Sequence, residues 1–299
     1  MRLHWLVAIM LAGVCGGGAA GAQPPGGEAA GPVDLMTIAE GAILVSASAN
    51  AHAALALTDG SAKTHWSNEG KRDKLPYRFV FELRAPTKIA QVGVVGGGKR
   101  PGGVQGGAAR GIVVEASSAG PGTGFREIAA FDAAEEGETL AAVGDATPFR
   151  WVRLVVASNH GSPIWTYFNE VVLHGEQAVP AAAPRFAGIF ETGRKAFIEL
   201  KQDGISVSGC YTEQAGHSGG TLQGDVDGGV ARVSWVSDKG IGGSALFALD
   251  STGKLSGVRY RDRSRSAWGG GKAPAGTTTP CSRAAVPANP MADALRRDG

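Results

Sequence analysis

The chain has 299 residues, of which 47 are glycine and 19% are charged, and its formal net charge is +2. A charge this close to zero gives no electrostatic case for a nucleic-acid partner. The abundant glycine and the absence of long windows with helical periodicity argue against a mainly helical fold and favour turn-rich β structure. The length allows two domains.

The first 22 residues have the pattern of a signal peptide. Arg2 gives a short positive region, an apolar run extends from Leu3 to Val14, and Ala20-Gly21-Ala22 is a small-residue cleavage site. The apolar run is too short to span a bilayer, so we expect a secreted or periplasmic protein with no transmembrane segment in the mature chain. Cys15 leaves a lipid-anchored alternative open, although Val14 stands where lipoproteins normally have a small residue.

Residues 23–32 are rich in glycine, proline and alanine and are interpreted as a flexible leader. Between residues 33 and 176, short apolar alternations lie between turn residues at even spacing. This pattern is typical of antiparallel strands in a sandwich or jelly roll, so we predict an all-β domain. The strands predicted in it are Arg78–Leu83, Ile89–Val95, Gly111–Ala116, Phe125–Phe131, Trp151–Ala157 and Val171–His174.

Residues 177–184 have the alanine and proline content of a linker. Residues 185–283 form a second β-rich segment, for which the pattern predicts a small antiparallel β-meander or barrel, similar in texture to bacterial lipocalin-like or avidin-like modules. Residues 284–299 are interpreted as a flexible tail. The strands predicted in the second segment are Phe197–Leu200, Ser206–Tyr211, Val230–Trp235, Ala245–Leu249 and Leu255–Tyr260.

Removal of a signal peptide would leave two cysteines, Cys210 and Cys281. An even number of cysteines in an exported chain indicates one disulfide. The crosslink would close a loop of about 70 residues, and a constraint of that length stabilises a fold by roughly 4 kcal/mol. Two unpaired thiols are the alternative.

Two distant segments together resemble a known family. The first is Asp59-Gly60-Ser61-Ala62-Lys63-Thr64-His65-Trp66, and the second is Asn169-Glu170-Val171 with Gly175. This pairing resembles the discoidin family, also called the coagulation factor 5/8 type C domain, whose bacterial members include galactose-binding carbohydrate modules. The resemblance covers about residues 33–176. It implies a jelly-roll sandwich whose function is to bind a ligand and not to catalyse a reaction.

The resemblance also implies one structural calcium ion, held between a turn near the N-terminus and a glutamate on the last strand. The residues at the matching positions are Asp59, Thr64 and Glu170. Calcium prefers six to eight hard oxygen ligands, and a turn containing glycine can aim carbonyl oxygens inward. Many family members have a second Asp or Asn where Ser61 and Ala62 stand here. An Asp-Gly turn capped by Thr64, with Glu170 in solvent, is therefore the alternative.

A ligand of this fold is expected at the loops at one end of the sandwich. Sugar sites combine an aromatic face with polar groups that bind hydroxyls. His160, Trp165 and Tyr167 lie just before the last predicted strand, and Lys99 and Arg100 lie in a glycine-rich segment. These five residues are the predicted ligand-binding positions for a carbohydrate or cell-envelope glycan. A core position for Trp165 and a merely mobile glycine-rich loop stay open.

The second β-rich segment contains four alternating arginines, Arg259, Arg261, Arg263 and Arg265. On one strand, a spacing of two residues would place all four side chains on the same face. Such a row would suit an anionic surface, because guanidinium groups bind phosphate and carboxylate in pairs of hydrogen bonds. An exposed edge strand protected by charge is the alternative.

Two short motifs in the chain are rejected. Gly93 to Lys99 begins like a phosphate-binding loop, but Arg100-Pro101 follows where Ser or Thr and a helix are required. Gly216-His217-Ser218-Gly219-Gly220 matches G-x-S-x-G, but no strand-turn-helix pattern surrounds it. We therefore predict a non-catalytic exported protein that binds carbohydrate or an envelope component. An envelope scaffold for protein partners and a hydrolase with unrecognised catalytic residues are the alternatives.

Overall fold

A computed structural model describes residues 32–70, 75–97, 105–180, 183–193, 195–213, 218–262 and 264–279. The predicted signal peptide, residues 23–31 of the leader and the tail at 284–299 lie outside these ranges. So do five of the singled-out residues, namely Cys15, Lys99, Arg100, Arg263 and Cys281. Within the described ranges, strands dominate and two short 3-10 helices occur, at Ile38–Glu40 and Ala53–Thr58. The predicted all-β fold class is confirmed. None of the helices in these ranges has the length and apolar character needed to span a membrane.

The first sheet lies between residues 43 and 177, and all its strand pairs are antiparallel. One path runs in the order β1-β3-β7-β4-β5, and β6 and β9 also pair with β3. A separate two-stranded pair is formed by β2 and β8. The strands are β1 (Ile43–Ala47), β2 (Trp66–Ser67), β3 (Tyr77–Gly96), β4 (Gly111–Ser117), β5 (Arg126–Asp132), β6 (Gly137–Ala142), β7 (Pro148–Val156), β8 (Tyr167–Phe168) and β9 (Glu170–Gln177).

Strand β3 is 20 residues long and pairs with four other strands of the sheet. Its first part, to Glu82, pairs with β1 and β7. Its second part, from Thr87, pairs with β9 and β6, and Thr87 and Lys88 also still pair with β7. The register shifts between Glu82 and Thr87, where Pro86 cannot donate a backbone hydrogen bond. The sequence predicts two strands here, but the structure has one continuous strand that changes partners.

The core of the sandwich is formed by side chains that alternate along these strands. Phe79 and Phe81 from the first part of β3 and Val92 and Val94 from its second part are all fully buried in one apolar cluster. Trp66, on β2, is also fully buried, and its indole N–H donates to the carbonyl of residue 49 at 3.1 Å. Trp66 therefore anchors the chain directly after the Asp59 turn.

The second sheet is an antiparallel meander of nine strands between residues 188 and 272. Consecutive strands from β10 to β17 are neighbours, as expected for the predicted meander, and the apolar cluster on one face contains Trp235, Phe247 and Trp268. Its strands are β10 (Gly188–Gly193), β11 (Ala196–Asp203), β12 (Ser206–Thr212), β13 (Gly219–Asp227), β14 (Val230–Ser237), β15 (Gly242–Leu249), β16 (Leu255–Arg261), β17 (Ser264–Ala267) and β18 (Gly271–Lys272).

The two ends of this meander are connected by residues 264–272. Strand β17 pairs with β16, Gly270 forms a bridge to Leu255, and β18 pairs with β10 at the other end of the sheet. The Trp268 ring lies in the enclosed apolar cluster and is only 8% exposed. One segment thus joins the first strand of the meander to β16 and gives the sheet a barrel-like closure.

The meander packs against the sandwich, and the described residues from Asp34 onward belong to one compact unit. Ile38, Ile43 and Ala248 form a small buried cluster between the two sheets. The contact also includes polar bonds, among them one from Ser251 N–H to the Glu82 carboxylate at 2.8 Å. Residues of the second sheet therefore take part in sites that the sequence assigns to the sandwich alone.

Candidate binding site

The Asp59 turn is held together by hydrogen bonds to its own carboxylate. Ser61 N–H donates to Asp59 Oδ1 at 3.0 Å, and the Thr64 hydroxyl lies 3.0 and 3.1 Å from the two Asp59 oxygens. Gly60 has a φ of +73°, a left-handed conformation that glycine adopts without strain. The chain after the turn is anchored by the fully buried Trp66.

Glu170, the first residue of β9, meets this turn. The same Ser61 N–H that faces Asp59 also donates to Glu170 Oε1 at 2.8 Å, across 109 positions in the chain. Next to Glu170, the Asn169 side-chain amide donates to the carbonyl of Ala62 at 2.5 Å. Asp59, Thr64 and Glu170 are thus brought around one backbone segment, and Glu170 is buried rather than solvated.

The Glu170 carboxylate is in an unfavourable electrostatic setting. Only 4% of the residue is exposed, and burial raises the pKa of its carboxyl to about 8, with the nearby Asp34 adding to the increase. The Ser61 and Gly60 amides lower this pKa but do not compensate for the burial. A neutral Glu170 is therefore favoured near neutral pH unless a cation lies beside it.

Several oxygen atoms at this place fit a hard cation. In the described part of the chain, Glu170 Oε2 and Asn169 Oδ1 are buried without a hydrogen-bond partner. Buried polar atoms almost always have partners, so these two oxygens on neighbouring residues are available to accept a hydrogen bond or to ligate a cation. Carboxylate and amide oxygens are ligands that calcium accepts. The described residues contain no cluster of three or more His, Cys, Asp or Glu side chains able to hold a metal, so backbone carbonyls would have to complete the shell.

Asp59 already has a cationic partner, and it comes from the second sheet. The Arg265 guanidinium on β17 donates to Asp59 Oδ2. The Asp59 side chain is 3% exposed and that of Arg265 is 26% exposed, so the pair is largely buried. The charge of Asp59 is thus neutralised by a side chain of the same protein. The buried oxygens without a partner belong instead to Glu170 and Asn169.

A cavity of about 480 Å³ lies beside this ion pair. Ser61 and His65 line it from the sandwich, and Tyr260 and Arg265 line it from the meander. Burial lowers the pKa of His65 and raises that of Tyr260, so both side chains favour the neutral form there. The cavity therefore has a polar wall that contains the Arg265–Asp59 ion pair and the exposed carboxylate of Asp262.

The predicted ligand loop, residues 159–167, is ordered by its first residue. The Asn159 side-chain amide donates to the carbonyls of Ser162 and Trp165, both at 2.9 Å, and to the Thr166 hydroxyl at 3.1 Å. Asn68 supports the loop from the other side, because its amide donates to the carbonyl of Ile164 at 2.9 Å. These two asparagines therefore connect the loop to itself and to the segment after β2, although no motif in the sequence marks them.

Trp165 is half-buried at the surface of this loop. A Cβ atom added to Gly70 would lie 2.6 Å from Cζ2 of Trp165, so the indole rests directly on the Gly70 backbone. Ile164 beside it is 41% exposed. Trp165 is therefore a fixed aromatic surface at the end of the sandwich.

The expectation for Tyr167 is corrected by the structure. Tyr167 is 1% exposed, because it lies on β8 and its ring packs onto Gly107, where an added Cβ would be 2.7 Å from Cε1. It cannot contact a ligand directly. His160 is half-buried, and its Nε2 lies 3.0 Å from the carbonyl oxygen of Ala133. Since a carbonyl only accepts, Nε2 carries the hydrogen, and in the neutral ring Nδ1 is an acceptor.

The predicted row of arginines is not a single row. Strand β16 ends at Arg261 and β17 begins at Ser264, so the four positions span a hairpin rather than one strand. Arg265 pairs in register with Tyr260, whereas Arg259 pairs with Ser266, so Arg259 and Arg265 lie on opposite faces. Arg265 binds Asp59, and Arg259 and Arg261 line a different cavity.

Among known proteins, similarity to this chain was found only in solved structures. No protein-family model and no curated protein matches the chain. The C-terminal domain of a chitobiase from Bacteroides fragilis is similar with a TM-score of 0.38 and 23% identity, over 45% of this chain and 93% of that chain. An F5/8 type C domain from the same organism is similar with a TM-score of 0.32 and 19% identity, over 42% of this chain and 81% of that chain.

A CBM32 module from Clostridium perfringens, solved in complex with GalNAc-β-1,3-galactose, has a TM-score of 0.35 and 19% identity, over 44% of this chain and 93% of that chain. F5/8 type C and CBM32 domains are thus among the solved structures that this chain resembles, as the motif at Asp59 and Glu170 predicts.

Proposed function

We propose that this chain is a non-catalytic binding protein that recognises carbohydrate through the end of the sandwich formed by residues 159–167. The observation that carries this proposal is Trp165, a half-buried indole fixed on the Gly70 backbone and braced by Asn159. A rigid aromatic surface of this kind stacks on the apolar face of a sugar ring. His160 Nδ1 would accept a hydrogen bond from a sugar hydroxyl.

A calcium ion at the Glu170 side of the Asp59 turn forms part of the proposal. The ligands available to it are Glu170 Oε2, Asn169 Oδ1 and carbonyl oxygens of the turn. When bound, it would supply the positive charge that the buried Glu170 carboxylate lacks. Its role would be structural, because an ion that binds only the folded chain stabilises that state.

Glycan-array binding tests the carbohydrate proposal. The wild-type protein should bind a defined group of glycans, and Trp165→Ala should lose most of that signal while its melting curve shows that it is still folded at the assay temperature. Phe125→Ala is a matched control, because Phe125 is also a half-buried aromatic residue. It lies next to Arg126, which pairs with the C-terminal end of β4, whereas residues 159–167 lie near the other end of that strand. Equal signals from Trp165→Ala and wild type, or no glycan bound by either, would reject the proposal.

Thermal unfolding with added calcium tests the metal separately. Calcium should raise the melting temperature of the wild type, by an amount that grows with the logarithm of its concentration. Glu170→Gln should show little of this increase. Magnesium is the control ion, since it binds reluctantly to sites built largely from protein oxygens. An equal increase in Glu170→Gln would place the calcium elsewhere.

A further inference from the structure

A second cavity, of about 330 Å³, lies in the meander and has no part in the sandwich site. Tyr211 and Trp235 form part of its wall, and Arg259, Glu213 and Asp238 are among its charged lining. Its volume is at the lower end of the range for small-molecule sites, about 300 to 1,000 Å³. The cavity therefore suits a molecule of about one sugar ring.

Arg259 in this cavity is held by two aromatic rings and one carboxylate. Its guanidinium carbon lies 5.1 Å from the centre of the Trp235 ring and 4.9 Å from that of Trp268. Its Nη1 also donates to Glu213 Oε1 at 2.6 Å, and the Ser218 hydroxyl lies 3.3 Å from the other Glu213 oxygen. The aromatic slot that could hold a cationic ligand is thus filled by a side chain of the protein itself.

The remaining lining favours an anion that also carries hydroxyl groups. Lys239 and Arg261 are exposed on the cavity wall, and with Arg259 they outnumber the two acidic side chains by one among the described residues. Arg261 lies 3.9 Å from Asp262, and both side chains are more than half exposed, so that pair is weak. The serines that line the cavity can bind hydroxyl groups. They are Ser218, Ser237, Ser264 and Ser266.

Tyr211 adds a donor to the wall of the cavity. Burial raises the pKa of its hydroxyl to about 12, with Glu213 adding to the increase, so the group stays protonated at any physiological pH. The Trp235 indole N–H is directed away from the cavity, because it donates to the carbonyls of Ser244 and Tyr260, both at 3.2 Å. Tyr211 and Trp235 are only 2% and 3% exposed, so their rings close the floor of the cavity and offer no open face for stacking.

We infer that this cavity binds an anionic monosaccharide, either a sugar acid or a sugar phosphate. The anionic group lies toward Lys239 and Arg261, and the serines and Asp238 bind the hydroxyls. The site is independent of the proposed carbohydrate site at Trp165 and of the calcium. Two of the four alternating arginines, Arg259 and Arg261, line this cavity.

Isothermal titration with glucuronic acid, glucose 6-phosphate, glucose and inorganic phosphate tests this inference. Glucuronic acid, glucose 6-phosphate or both should bind, and at least tenfold more tightly than glucose and inorganic phosphate. Affinity should fall as salt concentration rises, since the rim charges are exposed. Whichever of the two anionic sugars binds more tightly shows whether the site prefers a carboxylate or a phosphate.

The variant Lys239→Ala with Arg261→Ala should weaken binding at least tenfold. A matched control, Lys201→Ala with Lys254→Ala, removes the same charge from exposed positions outside this cavity and should bind like the wild type. Trp165→Ala should also bind like the wild type, which separates this site from the proposed one. Unchanged binding in the rim variant, equal binding of glucose, or binding of neither anionic sugar would overturn the inference.

Discussion

Arg265 and Asp59 are 206 positions apart in the sequence and form a largely buried ion pair between the meander and the sandwich. The pair connects β17 to the turn that the family resemblance assigns to calcium. The fixed cation on this turn is therefore a side chain, and any calcium has to be held by the neighbouring Glu170 and Asn169 oxygens. This contact makes the stability of the turn depend on the second sheet.

Replacing Arg265 with Gln should lower the free energy of unfolding by about 3 kcal/mol, the lower end of the range for a buried pair, because Asp59 would remain buried without its cation. Denaturant unfolding of Arg265→Gln, Asp59→Asn and the double variant measures this. The double variant should lose less than the two single changes combined. Arg110→Gln is the control, since Arg110 and Asp132 form a pair exposed by 53% and 63% that should contribute less than about 1 kcal/mol. Additive losses would show that the two residues do not interact.

The raised pKa of Glu170 predicts a particular dependence of stability on pH. Between its ordinary pKa of 4.5 and the folded value of about 8, the folded chain holds a proton that the unfolded chain has released. Stability should therefore fall as pH rises from 5 to 8 in calcium-free buffer, and each pKa unit of difference corresponds to about 1.4 kcal/mol. Burial also raises the pKa of Asp34, which contributes in the same direction.

Glu170→Gln removes the titrating group and should reduce this dependence, so the variant should gain stability over the wild type as pH rises. Melting temperatures at pH 5, 6, 7 and 8 measure the difference. Asp34→Asn separates the contribution of Asp34, and Tyr260, whose pKa is raised by burial with Glu170 adding to the increase, titrates above this range. Parallel pH curves for wild type and Glu170→Gln would contradict the raised pKa.

The alternation of apolar residues was sufficient to predict the fold class and most of the central strands. The short strands β2, β8 and β18 have two residues each and could not be found, because two residues define no period. Strand β13 begins with Gly219-Gly220 and continues through Gly224, so its sequence is typical of a turn. The glycines fit there because neighbouring backbone lies where their Cβ atoms would be.

Of the candidate site, only the positions within the Asp59 and Glu170 segments could be predicted from the sequence. The motif brings Asp59 and Glu170 to one turn, but it contains no information about Arg265, whose approach depends on how the second sheet packs. The cavity around Arg259 was missed for a related reason. Trp235 and Trp268 are 33 positions apart, and only the closure of the meander brings both rings to one guanidinium.

The disulfide between Cys210 and Cys281 stays a prediction, and one contact supports it. The Thr279 hydroxyl donates to Glu199, and Glu199 is the register partner of Cys210 on the adjacent strand. The chain two positions before Cys281 thus runs beside Cys210. Non-reducing peptide mapping should find the crosslinked peptide, and Cys210→Ser should lose roughly 4 kcal/mol of stability. Reaction of two thiols per folded chain with a thiol reagent would disprove the pairing.

Glu82 is the second polar anchor between the two sheets, and its carboxylate is almost completely buried. Arg150 donates to Oε1 at 2.8 Å and Trp151 to Oε2 at 3.2 Å within the sandwich, while Ser251 donates to both oxygens, at 2.8 and 3.1 Å, from the meander. Glu82→Gln keeps the shape but loses the charge, and it leaves Arg150 with no carboxylate beside it. Hydrogen bonds to charged groups are worth about 1.5–3 kcal/mol each, so the variant should lose at least about 2 kcal/mol.

Ser251→Ala isolates the part of this network that crosses between the sheets, since it removes the hydroxyl and keeps the backbone donor. We expect it to lose about 1 kcal/mol.

Glu115→Gln is the matched control for Glu82→Gln, because the Glu115 pair with Arg153 lies entirely within the sandwich. Calorimetry should show that Glu82→Gln broadens or splits the unfolding transition, since the two sheets are then less firmly joined, whereas Glu115→Gln should shift one transition. A single sharp transition in Glu82→Gln, shifted no more than in Glu115→Gln, would mean that the apolar cluster at Ile38, Ile43 and Ala248 is sufficient to hold the sheets together.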